Sequence, residues 1–147
     1  VILHSIALAN LAVDGELDFF DHPMHLSLQQ RKRCLQYILE LCTQRENFNV
    51  KLVYGCLVAD FQYAETQCVF LSDTICYVRL HTENRKNNLA VFNHPDMKII
   101  FLRFFEHMWS KKKKVIREET EEICAFIQEA IQRVDILDRA SKEKETN

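Results

Sequence analysis

Apolar residues recur at three- and four-residue steps in three stretches of the chain, and each stretch predicts an amphipathic helix. The first follows Ser27, which opens an S-x-x-Q capping box, and fades near Asn47. The second follows Asn93-His94-Pro95-Asp96, a helix start, and the third runs from Val115 to about Leu137. On the second helix the positions expected on a broad buried face are Met97, Ile100, Phe101, Phe104, Phe105, Met108 and Trp109.

Other stretches have the composition and alternation of strands. Residues 48–54 alternate apolar and polar side chains up to Gly55, which predicts a half-buried strand. The runs 66–71 and 75–81 flank a short Ser-Asp-Thr connector and predict an antiparallel hairpin. Residues 89–92 predict one more short strand.

The first 25 residues give a weaker signal. Residues 1–13 are apolar up to the Asp14-Gly15 turn, and their periodicity fits either a strand or a short helix. The following stretch to His25 is acidic and contains Pro23, so it predicts a loop.

Together these elements predict an α+β (or α/β) fold. We expect a mixed or antiparallel sheet of about four to five strands, one helix after the first segment and two long C-terminal helices. A length of 147 residues suits one domain, which we place at residues 1–138, followed by a frayed polar tail at residues 139–147.

Composition excludes several classes of protein. A net charge of −2 does not suit a domain whose own surface grips nucleic acid. Two glycines are too few for a glycine-rich phosphate loop, and no apolar run is long enough to cross a membrane. The six cysteines stand singly in apolar surroundings, which favours reduced core residues in a cytoplasmic protein.

The third predicted helix carries a heptad-like apolar seam. Such a seam can pack inward or against a second subunit, and we favour a homodimer. The residues predicted at the dimer interface are Ile116, Ile123, Ile127 and Val134.

Three residues are candidates for ligand binding. Tyr77, Arg79 and His81 alternate along one predicted strand and therefore share a face of the sheet. Such a row can bind an anionic or aromatic small molecule, although it is also typical of the solvated face of an antiparallel sheet. We predict no catalytic residue and no cofactor. We also predict no metal site, since His22 and His25 lack further ligands nearby.

The segment Leu89–Asp96, followed by Phe104-Phe105-Glu106-His107-Met108-Trp109, resembles the C-terminal sensory domains of bacterial helix-turn-helix transcription regulators. The resemblance covers about residues 48–110. It implies a phospholipase-D-like α/β fold without catalytic residues, and here Glu83 stands where the His-x-Lys motif of the active enzymes has lysine.

The favoured hypothesis is a non-catalytic, ligand-sensing or dimerising domain of a cytoplasmic transcription regulator. It would reach DNA only through a missing N-terminal domain and would not contact a membrane. One alternative is a small intracellular hydrolase or transferase with a site around Arg79 and His81, completed by an acid of the segment 16–21. Another is a protein–protein interaction module without a ligand.

Overall fold

The computed structural model describes residues 1–19, 22–53, 66–71, 76–80, 89–110 and 115–145. These residues form four helices and eight strands. The helices are α1 (Ser5–Val13), α2 (Leu28–Gln44), α3 (Pro95–Ser110) and α4 (Thr120–Glu145). The strands are β1 (Ile2–His4), β2 (Glu16–Phe19), β3 (His22–His25), β4 (Lys51–Val53), β5 (Thr66–Leu71), β6 (Cys76–Leu80), β7 (Leu89–Phe92) and β8 (Val115–Arg117).

The chain divides into two compact units. Unit 1 combines Val1–Gly55 with Val115–Asn147, and unit 2 is the intervening Cys56–Lys114. Unit 1 is therefore built from two separate stretches of sequence.

A three-stranded sheet lies in unit 1 in the order β1-β4-β8. The central strand β4 pairs parallel with β1 and antiparallel with β8. All three β4 residues are buried, so the half-buried alternation predicted for this strand is wrong. Alternation predicts that the polar Lys51 faces solvent, but its ammonium lies against Glu118 and its side chain is 10% exposed.

Helix α2 begins where the sequence predicts it. The Gln30 amide donates to Ser27 Oγ at 3.3 Å, and the Ser27 amide donates to Gln30 Oε1 at 2.9 Å. This reciprocal pair confirms the capping box, which satisfies two amide donors that a helix start leaves without partners.

The core of unit 1 lies between three helices and the sheet. Helix α4 packs against α2 and α1. The buried apolar cluster consists of Leu8, Leu11, Ala12, Leu26, Leu35, Val50, Leu52, Ile123, Ile127, Ala130 and Val134. An ion pair of 2.6 Å between Lys32 and Asp135 joins the first turns of α2 to the second half of α4.

Helix α1 is followed by Gly15, at a position that suits only a residue without a side chain. Gly15 has φ +69°, and its amide donates to the Asn10 carbonyl at 3.1 Å. The Arg31 guanidinium occupies the space that a Cβ would fill. It donates to the carbonyls of Leu26 at 2.8 Å and Val13 at 2.6 Å. The open choice for residues 1–13 is thus resolved as a strand followed by a helix.

The acidic loop predicted up to His25 is wrong. Its residues form the hairpin β2–β3, in which Glu16 pairs with His25 and Leu17 with Met24. The acids and the proline concealed the strands because such residues are depleted from most strands, whereas an isolated two-stranded hairpin has two edges and tolerates them.

The limits predicted for the last helix are also wrong. Residues 115–117 form β8, which pairs antiparallel with β4. The β-branched Val115 and Ile116 favour a strand at this position. The helix begins at Thr120 and runs to Glu145, past the predicted end near Leu137 and through the predicted frayed tail. A Lys142–Asp138 pair at 2.5 Å and basic residues in the last turn favour this extension.

The predicted fold class is wrong. In the described residues no sheet has four or five strands. The strands fall instead into three separate sheets of three, two and three strands, and the four helices hold most of the ordered secondary structure. Hydrophobic periodicity identifies strands but not their partners, and β2, β3 and β8 were not identified as strands at all.

The predicted dimer interface on the last helix needs the same correction. Ile123, Ile127 and Val134 are 2%, 0% and 1% exposed within a single chain, where they pack in the core of unit 1. They are therefore not available to a second subunit. Ile116 belongs to strand β8 rather than to the helix.

Candidate functional site

The candidate ligand-binding residues lie in the sheet of unit 2. This sheet has the order β5-β6-β7, with antiparallel pairing on both sides of the central β6. The register pairs Leu71 with Cys76, which confirms the predicted hairpin of β5 and β6.

Helix α3 identifies the two faces of this sheet. The helix lies against β5 and β6. The Phe92 ring of β7 stacks on the Phe101 ring of α3, with centroids 5.8 Å apart and planes at 27°. Phe92 therefore marks the helix-covered face. Val91 precedes it in the strand, is 53% exposed and marks the opposite face.

The strand register extends this assignment to β6. Directly opposed residues of an antiparallel pair share a face. Cys76 is opposite Phe92 and Val78 is opposite Ala90, so these residues belong to the helix-covered face. Tyr77 is opposite Val91 and Arg79 is opposite Leu89, so both predicted ligand-binding residues belong to the face away from α3.

Neighbours from β5 complete this second face. Phe70 is opposite Tyr77, and Cys68 is opposite Arg79. We call the set Cys68, Phe70, Tyr77, Arg79, Leu89 and Val91 the Tyr77–Arg79 face. His81, the third predicted ligand-binding residue, lies outside the described residues.

The chemistry of the Tyr77–Arg79 face differs from that of the face under α3. The latter combines Val69, Leu71, Cys76, Val78, Ala90 and Phe92, all of them apolar. By register, the former brings together an arginine, a tyrosine, a phenylalanine and a cysteine with a leucine and a valine. A guanidinium binds planar anions through paired hydrogen bonds, and aromatic rings stack on flat ligands.

The start of α3 is held by a side chain next to this sheet. The Asp96 amide donates to His94 Nδ1 at 3.3 Å, so His94 caps the helix that Pro95 opens. The helix start predicted from Asn93–Asp96 is confirmed. The cap sets the residue at which α3 begins after β7. Its acceptor is a nitrogen of the His94 imidazole.

The thiols of Cys42 and Cys124 are not poised as nucleophiles. Burial raises the pKa of the Cys42 thiol, and the nearby Cys124 raises that pKa further. Burial also raises the pKa of the Cys124 thiol. A thiol with a raised pKa carries less of the reactive thiolate at neutral pH, so neither group suits nucleophilic catalysis.

The His-Pro-Met-His stretch does not bring its two histidines to the same face of the hairpin. His22 and His25 are three residues apart in β3, an odd spacing that places them on opposite faces of the hairpin. The His25 ring is 72% exposed and lies 3.9 Å from Glu16. No group of three metal-binding side chains occurs among the residues that the structure describes.

None of the described helices combines the length and apolar character that crossing a membrane requires. Comparisons with protein-family models, with curated proteins and with solved structures find no match to this chain.

The alternation of residues predicts that Tyr77 and Arg79 share one face of the sheet, but it does not predict that α3 covers the opposite face. The decisive signal is the pairing of β6 with β7, since Val91 and Phe92 report which side α3 covers. Alternation within one strand could not supply this information, because it does not say which face is covered.

Proposed function

We propose that this chain is a non-catalytic sensory domain of a cytoplasmic transcription regulator. In this proposal a small anionic or aromatic effector binds on the Tyr77–Arg79 face of unit 2. In the same proposal DNA binding belongs to a separate N-terminal domain, because a net charge of −2 does not suit a domain that itself grips nucleic acid.

The observation that carries the proposal is the register of β6 with β7. It assigns Tyr77 and Arg79 to the face on which Val91 is 53% exposed, while the Phe92–Phe101 stack occupies the other face. An arginine and a tyrosine two residues apart in a central strand are about 7 Å apart, a span that suits a small molecule with an anionic group and a flat ring.

The sequence resemblance adds the regulatory context. The residues that carry it, Leu89–Asp96 and Phe104–Trp109, include all of β7 and half of α3. Strand β7 contributes Leu89 and Val91 to the Tyr77–Arg79 face, and α3 packs on the opposite face, so the resemblance and the candidate site belong to the same unit.

Native mass spectrometry of the chain purified from its own host tests the proposal. We expect a co-purifying small molecule at one copy per chain. Arg79→Gln should remove at least nine-tenths of it, and Tyr77→Phe should retain part of it. Arg133→Gln, at an exposed position of α4, is the matched control and should retain all of it.

Three outcomes contradict the proposal. Equal retention of the molecule by Arg79→Gln and Arg133→Gln would place its binding elsewhere. Conversion of the released molecule to a product on incubation with fresh protein would favour the hydrolase or transferase alternative. Absence of any bound molecule would favour the interaction module.

A further inference from the structure

Helix α3 presents aliphatic side chains on the side that does not face its sheet. Ile99, Ile100 and Leu102 are 46%, 56% and 41% exposed, whereas Phe101, Phe104 and Phe105 are half-buried. The face of this helix that was expected to be buried is only half-buried at Phe101, Phe104 and Phe105, and the prediction is wrong at Ile100. Three exposed aliphatic residues within one turn are more than a solvated helix face normally carries.

Charged residues flank this patch with opposite signs. Asp96 lies one turn before Ile99 and Ile100, and Arg103 lies one turn after them. Both side chains are exposed, and the Asp96 carboxylate is 80% exposed. At 3.6 residues per turn, spacings of three, four and seven keep these four residues on one face.

This order of charges is complementary to itself. The midpoint between Ile99 and Ile100 is equally far in sequence from Asp96 and from Arg103. If a second α3 lies antiparallel across a two-fold axis at this midpoint, Asp96 of each copy faces Arg103 of the other. The isoleucines of both copies then meet between the two ion pairs. A partner with a surface of one charge sign would meet repulsion at one end of the patch.

We propose that α3 is the contact surface of a homodimer, in which two copies pack antiparallel through Asp96, Ile99, Ile100 and Arg103. The contact is isologous, as in most two-fold dimers. It is also small, because it comprises about two helical turns from each copy. The dimer should therefore be weak and should form in the micromolar range of protein concentration.

Charge reversal combined with mixing tests this proposal. Asp96→Arg places two arginines opposite each other at both ends of the contact, and Arg103→Asp places two aspartates opposite each other. We expect each variant alone to have a dissociation constant at least tenfold higher than the unmodified chain in sedimentation equilibrium. An equimolar mixture of the two variants should form a heterodimer, because each end then joins opposite charges.

The mixing step separates interface effects from folding damage, since a misfolded variant would not recover a partner. Ile100→Ser and Ile136→Ser form a matched pair, because these residues are 56% and 57% exposed on α3 and α4. Only Ile100→Ser should weaken the dimer. A strictly monomeric unmodified chain at all concentrations, or a dimer that both charge reversals leave unchanged, would overturn the proposal. Dimer loss by Ile136→Ser alone would do the same.

Discussion

The ammonium of Lys51 lies 2.7 Å from a carboxylate oxygen of Glu118 and joins the central strand β4 to the segment between β8 and α4. The lysine side chain is 10% exposed and the glutamate side chain 47% exposed. A second ion pair of the same type, Lys32–Asp135, is 38% and 40% exposed. The two pairs have similar geometry and differ mainly in the burial of the lysine.

This difference predicts unequal effects on stability. Glu118→Gln leaves a buried ammonium facing a neutral amide, and we expect it to lower the free energy of unfolding by about 1–3 kcal/mol. Asp135→Asn disrupts a pair that water already screens, so its cost should stay below about 1 kcal/mol. Urea unfolding of both variants measures the difference. Equal losses would mean that burial of Lys51 does not strengthen the interaction.

Gly15 and Arg31 provide a second test. Gly15→Ala forces a side chain into a left-handed backbone conformation and displaces the Arg31 guanidinium from the carbonyls of Val13 and Leu26. We expect a loss of about 2–3 kcal/mol in the unmodified background. In the Arg31→Ala background the same substitution should cost about 1–2 kcal/mol, since only the backbone strain remains. Additive losses in a double-mutant cycle would show that the two residues act independently.

The burial of α4 within one chain predicts how its residues respond to truncation. Ile127→Ala creates a cavity in the core and should cost about 2–4 kcal/mol. Ile136→Ala, at an exposed position of the same helix, should cost less than about 0.5 kcal/mol. The difference between the variants in urea unfolding should be the same at low and high protein concentration. A cost for Ile127→Ala that grows with protein concentration would restore the predicted subunit interface on α4.

The thiols of Cys42 and Cys124 predict a loss of stability at alkaline pH. Burial raises the pKa of each thiol above its ordinary value of 9.0, so the unfolded chain releases these protons at a lower pH than the native chain does. The native state therefore loses stability as the pH rises above about 9. The double variant Cys42→Ala/Cys124→Ala should lose less stability between pH 8 and pH 10 than the unmodified chain. Identical pH profiles would mean that the thiols do not contribute.

Local sequence signals predicted the elements better than their assembly. The capping box at Ser27 and the start of α3 at Pro95 depend on residues within one turn, and both were predicted correctly. The hairpin of β5 and β6 also depends on adjacent segments. The pairing of β4 with β1 and β8 joins residues far apart in sequence, and no local pattern specifies such partners.

The heptad-like seam of the last helix illustrates the same limit. The spacing of Ile123, Ile127 and Val134 specifies an apolar face, but an apolar face packs equally well on the same chain or on another one. Likewise, alternation placed Tyr77 and Arg79 together, and only the contact of Phe92 with α3 distinguished their face from the covered one. The sequence could identify these faces but not the surfaces that cover them.

The division of unit 1 between the two ends of the chain also sets an order of events on the ribosome. The described strands and helix of unit 2 emerge before residue 115, and their pairings join neighbours along the nascent polypeptide. Leu35 and Leu52 emerge early but must wait for Ile123 and Ile127 before their shared core can close. During translation, therefore, the inserted segment can fold first, while the earlier-made part of unit 1 stays exposed to chaperones until α4 has been synthesised.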